Sequence, residues 1–316
     1  MKLGVVMDPI EGINIKKDST FSMLLAAQAR GWDLYYMEQN DLLIQDGVAR
    51  ARVKPLSVKD DFSGWYAFGN QSDIDLADLD VVLMRKDPPF DIEYIYTTYI
   101  LQFAQEKGLL VINDPAGLRN VNEKMFINTF PDCIAPTLVT RDKDRLTEFL
   151  ELHKQAVFKP LEGMGGKSVF KVDHNDPNLN VIIETLTRDQ SRFIMGQKYI
   201  PEIKDGDKRI LLINGEPVDY ALARIPKSGE TRGNLAAGGT GKGVELSERD
   251  KWICRKVGPV LRSMGLLFVG LDVIGDYLTE VNVTSPTCIR ELDAIYGINI
   301  GDQLMELIDK KVNDKQ

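Results

Sequence analysis

The chain has 316 residues, enough for two domains or three small ones and for a core that needs neither disulfide nor metal to hold it. Apolar residues make up 43% and charged residues 27%, the mixture of an ordinary globular protein, and 47 acidic against 39 basic residues leave a net charge of −8. That balance argues against a general binder of nucleic acid or anionic membrane, and no apolar run approaches the ~18 residues of a membrane span. The three cysteines, Cys133, Cys254 and Cys288, lack metal-type spacing and fit reduced thiols in the cytoplasm. Only His153 and His174 are available to a histidine-dependent triad or a His-rich metal site, and both read as solvated surface residues.

In chain order, residues 3–7 read as a strand, ending in Asp8 too soon for a secretion signal. Asp18 caps a helix that runs to Gly31, and residues 34–37 and 80–85 read as strands. Asp91 caps a long helix closed by Gly108, and residues 109–112 form the next strand. Strands joined by helices imply a parallel sheet with ligand groups at the strand C-termini. Residues 50–72 look irregular, their aromatics packing rather than binding. Residues 120–130 read as helical, 137–140 as extended and 144–154 as helical. Strands at 156–159 and 168–172 flank a glycine loop, a helix lies near 180–186, and 193–199 is extended. Strands at 209–213 and 217–224 form a hairpin about Asn214-Gly215-Glu216. Residues 226–243 carry six glycines and few large apolar side chains, so they read as a long mobile loop and candidate lid. A helix at 248–264, a strand pair at 266–274 and 277–283, and a helix from about 301 close the chain.

Gly163-Met164-Gly165-Gly166-Lys167-Ser168 ends like a Walker A motif, but position 161 is leucine where that motif needs glycine, and a strand follows rather than a helix. Three glycines between two strands instead make a flexible cover whose backbone N–H groups can approach phosphate oxygens. Lys159 ends an apolar strand beside this loop, and Lys124 lies in the 120–130 segment; both suit phosphate neutralisation, with a solvated strand-end lysine as the alternative for Lys159. In Thr279-Glu280-Val281-Asn282-Val283 alternation puts Glu280 and Asn282 on one face, and Asp272 interrupts an apolar run where a carboxylate is costly. A two-residue turn at Gly275-Asp276 sets Asp272 and Glu280 on opposite faces, whereas a three-residue turn sets them directly across. The second arrangement converges hard oxygens on one point, as Mg²⁺ shared with phosphates requires. Arg85, Arg209, Arg224 and Arg232 suggest a substrate with several carboxylates or a phosphorylated intermediate, or else scattered ion pairs.

Lys124, Lys159, the 163–166 loop, and Asp272 with Glu280-Val281-Asn282 resemble the ATP-grasp superfamily. Met84-Arg85-Lys86-Asp87-Pro88-Pro89-Phe90-Asp91, Lys204-Asp205-Gly206-Asp207-Lys208-Arg209, Glu230-Thr231-Arg232-Gly233-Asn234 and Asn282-Val283-Thr284-Ser285-Pro286-Thr287 narrow this to bacterial glutathione synthetases, end to end. The resemblance implies an α/β protein, α+β in its C-terminal lobes: an N-terminal parallel-sheet substrate-binding domain (residues 1–120), then a small lobe with the glycine loop (121–200) and a C-terminal lobe with the metal site and lid (201–316), gripping ATP between them. It implies ligation of γ-glutamylcysteine to glycine through an acyl phosphate, with ADP and phosphate as products. Lys124, Lys159, Gly163, Met164, Gly165, Gly166, Gln197, Lys198, Tyr199, Ile200 and Asp207 would then bind ATP, and Asp272, Glu280 and Asn282 would bind Mg²⁺, for which Mn²⁺ can substitute. Arg209 and Arg224 would steady the transferring phosphoryl group, and Arg85, Arg232 and Ser285 would bind the peptide. A cytoplasmic homo-oligomer, often a tetramer, without nucleic-acid or membrane partners completes the expectation. Rivals are another ATP-grasp ligase, distinguished by the arginine motifs, or an ATP-binding regulator without turnover. A dinucleotide oxidoreductase is disfavoured because no G-x-G-x-x-G follows the first strand.

Overall fold

The computed structural model describes residues 1–163, 165–227, 233 and 238–314. The first part contains β1 (Lys2–Val6), α1 (Ser19–Ala29), β2 (Asp33–Met37), β3 (Leu42–Gln45), β4 (Val48–Val58), β5 (Tyr66–Phe68), β6 (Ser72–Asp75), β7 (Val81–Met84), α2 (Ile92–Gln105), β8 (Leu110–Ile112) and α3 (Pro115–Asn120). Then follow β9 (Thr137–Thr140), α4 (Lys143–His153), β10 (Gln155–Pro160), β11 (Phe170–Asp173), α5 (Leu179–Thr187) and β12 (Ile194–Lys198). The last part contains β13 (Asp207–Ile213), β14 (Glu216–Ile225), β15 (Thr240–Glu245), α6 (Glu248–Ser263), β16 (Phe268–Ile274), β17 (Tyr277–Asn282), α7 (Ile289–Tyr296) and α8 (Ile300–Asn313).

Three sheets result. The first has the order β3-β4-β2-β1-β7-β8, with β5 and β6 also pairing β4. Its centre, β2-β1-β7-β8, is parallel, as the alternation of strands and helices requires. Aspartate caps start its helices as expected: Asp18 accepts from the Phe21 N–H at 2.6 Å and Asp91 from the Tyr94 N–H at 2.9 Å. The second sheet is antiparallel, β11-β10-β12-β9, and the third is β15-β14-β13-β16-β17, also antiparallel.

Several expectations need correction. Residues 50–72 are not irregular: β4 is an eleven-residue strand whose burial alternates about Ala49, Ala51 and Val53, and Pro55 obscured that period. Residues 120–130 are not one helix. The chain leaves α3 at Asn120, and Lys124 immediately precedes a 3₁₀ turn at Met125–Thr129. The expected loop at 226–243 is shorter at its far end, because residues from Thr240 onward pair with β14 from Ile225 back to Tyr220. That strand is glycine-rich and carries no apolar signal; its ladder comes from the neighbour. The middle of the segment, with Arg232, lies outside the described residues.

The cores cross the order of the sequence. One buried cluster joins Val82, Leu101 and Leu118 of the first part to Ile210, Val269 and Val281 of the third sheet. A second joins Leu3, Val5 and Phe21 to Leu211, Phe268, Leu304 and Ile308, and α8 packs on α1. The second sheet has its own smaller core of Leu146, Leu150, Phe158, Val172 and Ile183. Asn113, at the end of β8, clasps the first and third sheets. Its Nδ2 donates to the Phe268 and Val283 carbonyls at 2.8 and 2.7 Å, and its Oδ1 accepts from the Leu267 and Phe268 N–H groups at 2.7 and 2.8 Å. Removing that side chain strands buried backbone groups. Asn113→Ala is expected to lower stability by about 2–4 kcal/mol, read as a lower urea midpoint; an unchanged midpoint would show that the clasp is dispensable.

Candidate active site

The facing surfaces of the second and third sheets enclose a cleft of about 330 Å³. Alternation decides what each sheet presents. On β10, Ala156 and Phe158 enter the small core, so Val157 and Lys159 face the cleft, with Lys171 and Gln197 level with Val157 on the neighbouring strands. On the third sheet, cross-strand partnership puts Asp207, Arg209, Arg224, Asp272, Glu280 and Asn282 on one face.

For Asp272 and Glu280 the shorter turn forms, yet the pairing is the one expected of the longer. The turn has two residues, with Ile274 opposite Tyr277 and Val273 opposite Leu278, yet Asp272 lies opposite Glu280 because Thr279 is bulged out of register. The bulge is held by the Thr279 hydroxyl, which donates to the Asp272 carbonyl at 3.1 Å. One inserted residue returns both carboxylates to the same face.

Asp272 is buried and bound on both oxygens. Arg209 Nε reaches Oδ1 at 2.5 Å and its Nη2 reaches Oδ2 at 3.0 Å, while Arg224 Nη2 lies 2.9 Å from Oδ2. Burial alone would raise its pKa, but the two guanidiniums outweigh that and hold the carboxyl well below the usual range. Gly270 gives the Arg209 side chain room: a Cβ there would stand 2.9 Å from Arg209 Cδ. Arg224 also binds Asp207 Oδ2 and, at 3.3 Å, the Asp207 carbonyl. Asp207 is the weak member of the tetrad. Its Oδ1 is buried with no partner among the described residues, and burial pushes its pKa up to about 7 despite Arg224.

Lys124 stands where the lobes meet. Its Nζ pairs with Glu123, donates to the Gly163 carbonyl at 3.0 Å and lies 3.5 Å from Glu280. Burial acts to lower its pKa, but Glu280 and Glu123 outweigh this and raise it. Lys159, buried beneath the glycine loop, has only Gln197 Oε1 at 3.4 Å, and burial lowers its pKa. Gly163, Gly165 and Gly166 line the cleft with positive φ, conformations that side chains resist; Met164 lies outside the described residues. Gln197 and Lys198, on the neighbouring strand β12, and Tyr199 and Ile200 just after it line the same side of the cleft. The backbone N–H groups of Lys198 and Tyr199 are already donated to the Pro136 and Gln155 carbonyls, and Lys171 Nζ sits 4.3 Å above the Tyr199 ring. Ser285 lines the cleft and donates to the Arg85 carbonyl at 3.3 Å.

Arg85 does not reach the main cleft. Its Nε donates to Thr20 Oγ1 and its Nη2 to the Pro286 carbonyl, both at 3.0 Å, and its guanidinium lies over Phe268. It braces the 285–287 wall from behind. Glu123 and Cys288 were not foreseen as cleft residues. Adjacency to Lys124 was the available signal for Glu123. The Cys288 thiol is buried, and that burial raises its pKa. His153 and His174 do not line the cleft.

Among the described residues no three His, Cys, Asp or Glu side chains form a metal cage. The donor chemistry nonetheless fits Mg²⁺ shared with phosphates. Glu280 and Asn282 line the cleft, and the Asn282 Nδ2 leans on the Gly270 carbonyl at 3.4 Å, keeping its amide oxygen for the cleft side. Each carboxylate oxygen has two lone pairs, so Asp272 Oδ1 retains one beyond Arg209.

Phosphate-type cations under a glycine loop, opposite a carboxylate–arginine sheet, define with this fold an ATP-grasp ligase. The solved structures agree on the fold: D-cycloserine synthetase DcsG superposes with a TM-score of 0.68 at 11% identity, covering 99% of this chain and 100% of that one. The ATP-grasp ligase PsnB, complexed with minimal precursor, Mg and ADP, superposes with a TM-score of 0.64 at 14% identity, covering 98% of each. Residues 1–119 match the N-terminal domain of prokaryotic glutathione synthetase and residues 123–297 its ATP-grasp domain. A glutathione synthetase of Pseudomonas putida is 61% identical over 312 residues, 99% of this chain and 98% of that protein, and one of Escherichia coli is 57% identical over the whole of both. The chain belongs to the prokaryotic glutathione synthetase family, ligases that form C–N bonds.

The raised pKa of Asp207 has a consequence for stability. An acid whose folded pKa exceeds its unfolded value near 3.9 binds more protons folded than unfolded between the two, so its contribution to stability falls as pH rises from about 4 to about 7. Asp207→Asn removes that titration. The urea-derived stability of the wild type minus that of the variant should fall by up to about 1.4 kcal/mol per pH unit towards pH 7 and then level off; a flat difference would contradict the assignment.

Proposed function

We infer that this chain forms the second peptide bond of glutathione, activating the cysteinyl carboxylate of γ-glutamylcysteine with ATP and passing the acyl group to glycine, with ADP and phosphate released. The observation that carries the reading is the charge placed between two apolar-backed sheets. Lys124, Lys159, Arg209 and Arg224 face or flank the cleft against Glu123, Asp207, Asp272 and Glu280, so the site is near balance before substrate binds. A nucleotide triphosphate adds several negative charges, and Lys167, Lys171 and Lys198 on the wall, with the divalent ion, answer them.

Lys159 and Lys124 hold the phosphates, beneath the N–H groups of Gly163, Gly165 and Gly166, with Met164 between them in the loop. Gln197, Lys198, Tyr199, Ile200 and Asp207 border the nucleotide. Glu280 and Asn282, with the spare lone pair of Asp272, hold Mg²⁺, which screens the phosphate oxygens when bound; Mn²⁺ can substitute. Asp272 fixes Arg209 and Arg224 in position, so their remaining N–H donors meet developing charge without reorganising. Phosphoryl transfer needs this positioning more than a proton-transfer residue, consistent with a cleft that lacks histidine. Ser285 and Arg232 meet the peptide, and Arg85 acts through the wall it braces. The proposed units are residues 1–120 for peptide binding, 121–200 for the loop lobe and 201–316 for the metal lobe, with the chain between β14 and β15 covering the acyl phosphate against water. In this reading the enzyme works in the cytoplasm as a homo-oligomer, a tetramer by family resemblance. No helix among the described residues is long and apolar enough to cross a membrane.

ADP release from MgATP should require γ-glutamylcysteine and glycine together and match glutathione formed mole for mole. ATP turnover indifferent to both would move the activity to another carboxylate–amine pair. Glu280→Gln should raise the Mg²⁺ concentration for half-maximal turnover at least tenfold while leaving the melting temperature nearly unchanged, since Glu280 is partly exposed. Asp272→Asn is a poorer test of metal binding, because it also leaves two buried guanidiniums short of a counter-charge, a loss worth about 3–5 kcal/mol. An unaltered Mg²⁺ requirement in Glu280→Gln would remove that residue from the metal site.

A further inference from the structure

Lys159 is the least supported cation of the cleft. Among the described residues its buried ammonium meets one polar side-chain atom, Gln197 Oε1 at 3.4 Å, and burial lowers its pKa. An ammonium carries donors only, so it gains from the amide oxygen of Gln197 and is repelled by the amide nitrogen. The two ends of a glutamine amide differ little in shape. Which end faces Lys159 is therefore decided by what binds the other end.

That partner is Thr137. It lies on the edge strand β9 directly opposite Gln197 of β12, which in turn lies opposite Val157, two residues before Lys159 on β10. Alternation puts Lys159, Gln197 and Thr137 on one face of the second sheet. The Thr137 hydroxyl stands 2.7 Å from the Ala135 carbonyl and 3.0 Å from Gln197 Nε2. A carbonyl oxygen only accepts, so the single hydroxyl proton goes to Ala135. The hydroxyl can then only accept from Gln197, which must turn its amide nitrogen towards Thr137 and its oxygen towards the ammonium. The Ala135 carbonyl is held in place for this. Ala135 is buried and precedes a proline, which confines it to extended backbone, and the Pro136 carbonyl is taken by the Lys198 N–H at 2.9 Å.

We propose that Thr137 is a positioning residue for the nucleotide: by binding the amide nitrogen of Gln197 it turns the amide oxygen onto Lys159, which fixes one proton of that ammonium and leaves two for phosphate oxygens. The proposal rests on the reading of Lys159 as a phosphate-holding group. Thr137 does not line the cleft and acts only through Gln197. Without its hydroxyl, the amide nitrogen of a side chain that is 4% exposed loses its one acceptor among the described residues. Gln197 is then released, and Lys159 loses the group that orients it. Valine has the shape of threonine and suits an edge strand, so Thr137→Val removes the hydrogen bonds while keeping the ladder.

Titration calorimetry of Mg²⁺-AMPPNP into the full chain tests this without depending on the peptide substrates. Thr137→Val should raise the dissociation constant about three- to tenfold, the worth of one oriented hydrogen bond. Its kcat for glutathione formation at saturating MgATP should stay within about twofold of the wild type, since the loss is one of binding. Thr137→Ser, which keeps the hydroxyl, should bind as the wild type does. In a Gln197→Leu background Thr137→Val should add nothing, because the residue it acts through is gone. Thr137→Ala serves the same comparisons should the valine variant fail to fold. Wild-type affinity in Thr137→Val would overturn the proposal, as would a loss that Thr137→Ser shares or that persists in full on top of Gln197→Leu. Lys159→Met separates the two levels of the reading. Unchanged affinity in that variant would overturn the phosphate role and the proposal with it, whereas a loss in Lys159→Met without one in Thr137→Val would overturn the proposal alone.

Discussion

The buried carboxylate of Asp272, held between Arg209 and Arg224, is the interaction on which the rest of the site depends. It couples three adjacent strands through side chains as well as through the ladder: Arg209 from β13, Arg224 from β14 and Asp272 from β16. A lone carboxylate at this depth would be neutral, and a lone guanidinium would be costly to bury. Together they stay ionised, and each arginine keeps donors free for a ligand. The arrangement is retained for placement rather than stability, since apolar residues of similar volume could fill the same space at least as well. Gly270, which gives Arg209 its room, and the Thr279 bulge, which brings Glu280 level with Asp272, are both consequences of keeping this cluster on one sheet face.

Asp207 shows the limit of that compensation. It shares Arg224 with Asp272, and the guanidinium cannot fully offset the burial of both. Arg224 stands nearer Asp207 than Asp272, but Asp272 also has Arg209 on both oxygens, so its carboxyl is held low while that of Asp207 rises to about 7. Two aspartates within reach of the same cations therefore differ in charge state near neutrality for a reason that is purely one of partner count. Lys124 and Lys159 show the same logic in reverse. Lys124 has two carboxylates and is raised, whereas Lys159 has an amide and is lowered.

Much of the site was legible in the sequence because β-strands expose alternate residues. Glu280 and Asn282, two apart, had to share a face whatever the fold, and Lys159 had to oppose the apolar Phe158. The register that joins Asp272 to them was not legible. It rests on one bulged residue in β17, because the two-residue turn that forms would by itself set the two carboxylates on opposite faces. Where Arg85 sits was not legible either: a cation at the end of a buried strand looks like a cleft group, and only packing shows it bound to the Pro286 carbonyl rather than lining the main cleft. Strand β4 was masked by Pro55, and β15 by its two glycines and its lack of an alternating apolar pattern; each is held by ladders to neighbouring strands. The helical reading around Lys124 failed because the segment's role is to connect two lobes.

That connection decides how the molecule divides. The first and third sheets share two cores and the Asn113 clasp, so they behave as one body although residues 121–200 separate them in sequence. The second sheet packs mainly on its own helices, α4 and α5. The cleft lies along this weaker boundary, with Lys159 and the glycine loop on one side and the arginine–carboxylate face on the other. Lys124 spans it, touching Gly163 of the loop and Glu280 of the body with one ammonium group. A phosphate bound there would compete with Glu280 for that ammonium, and Mg²⁺ at Glu280 would take up the carboxylate so displaced. Binding of nucleotide and metal would therefore exchange one set of cross-cleft contacts for another, so the boundary remains bridged as the charges change partners.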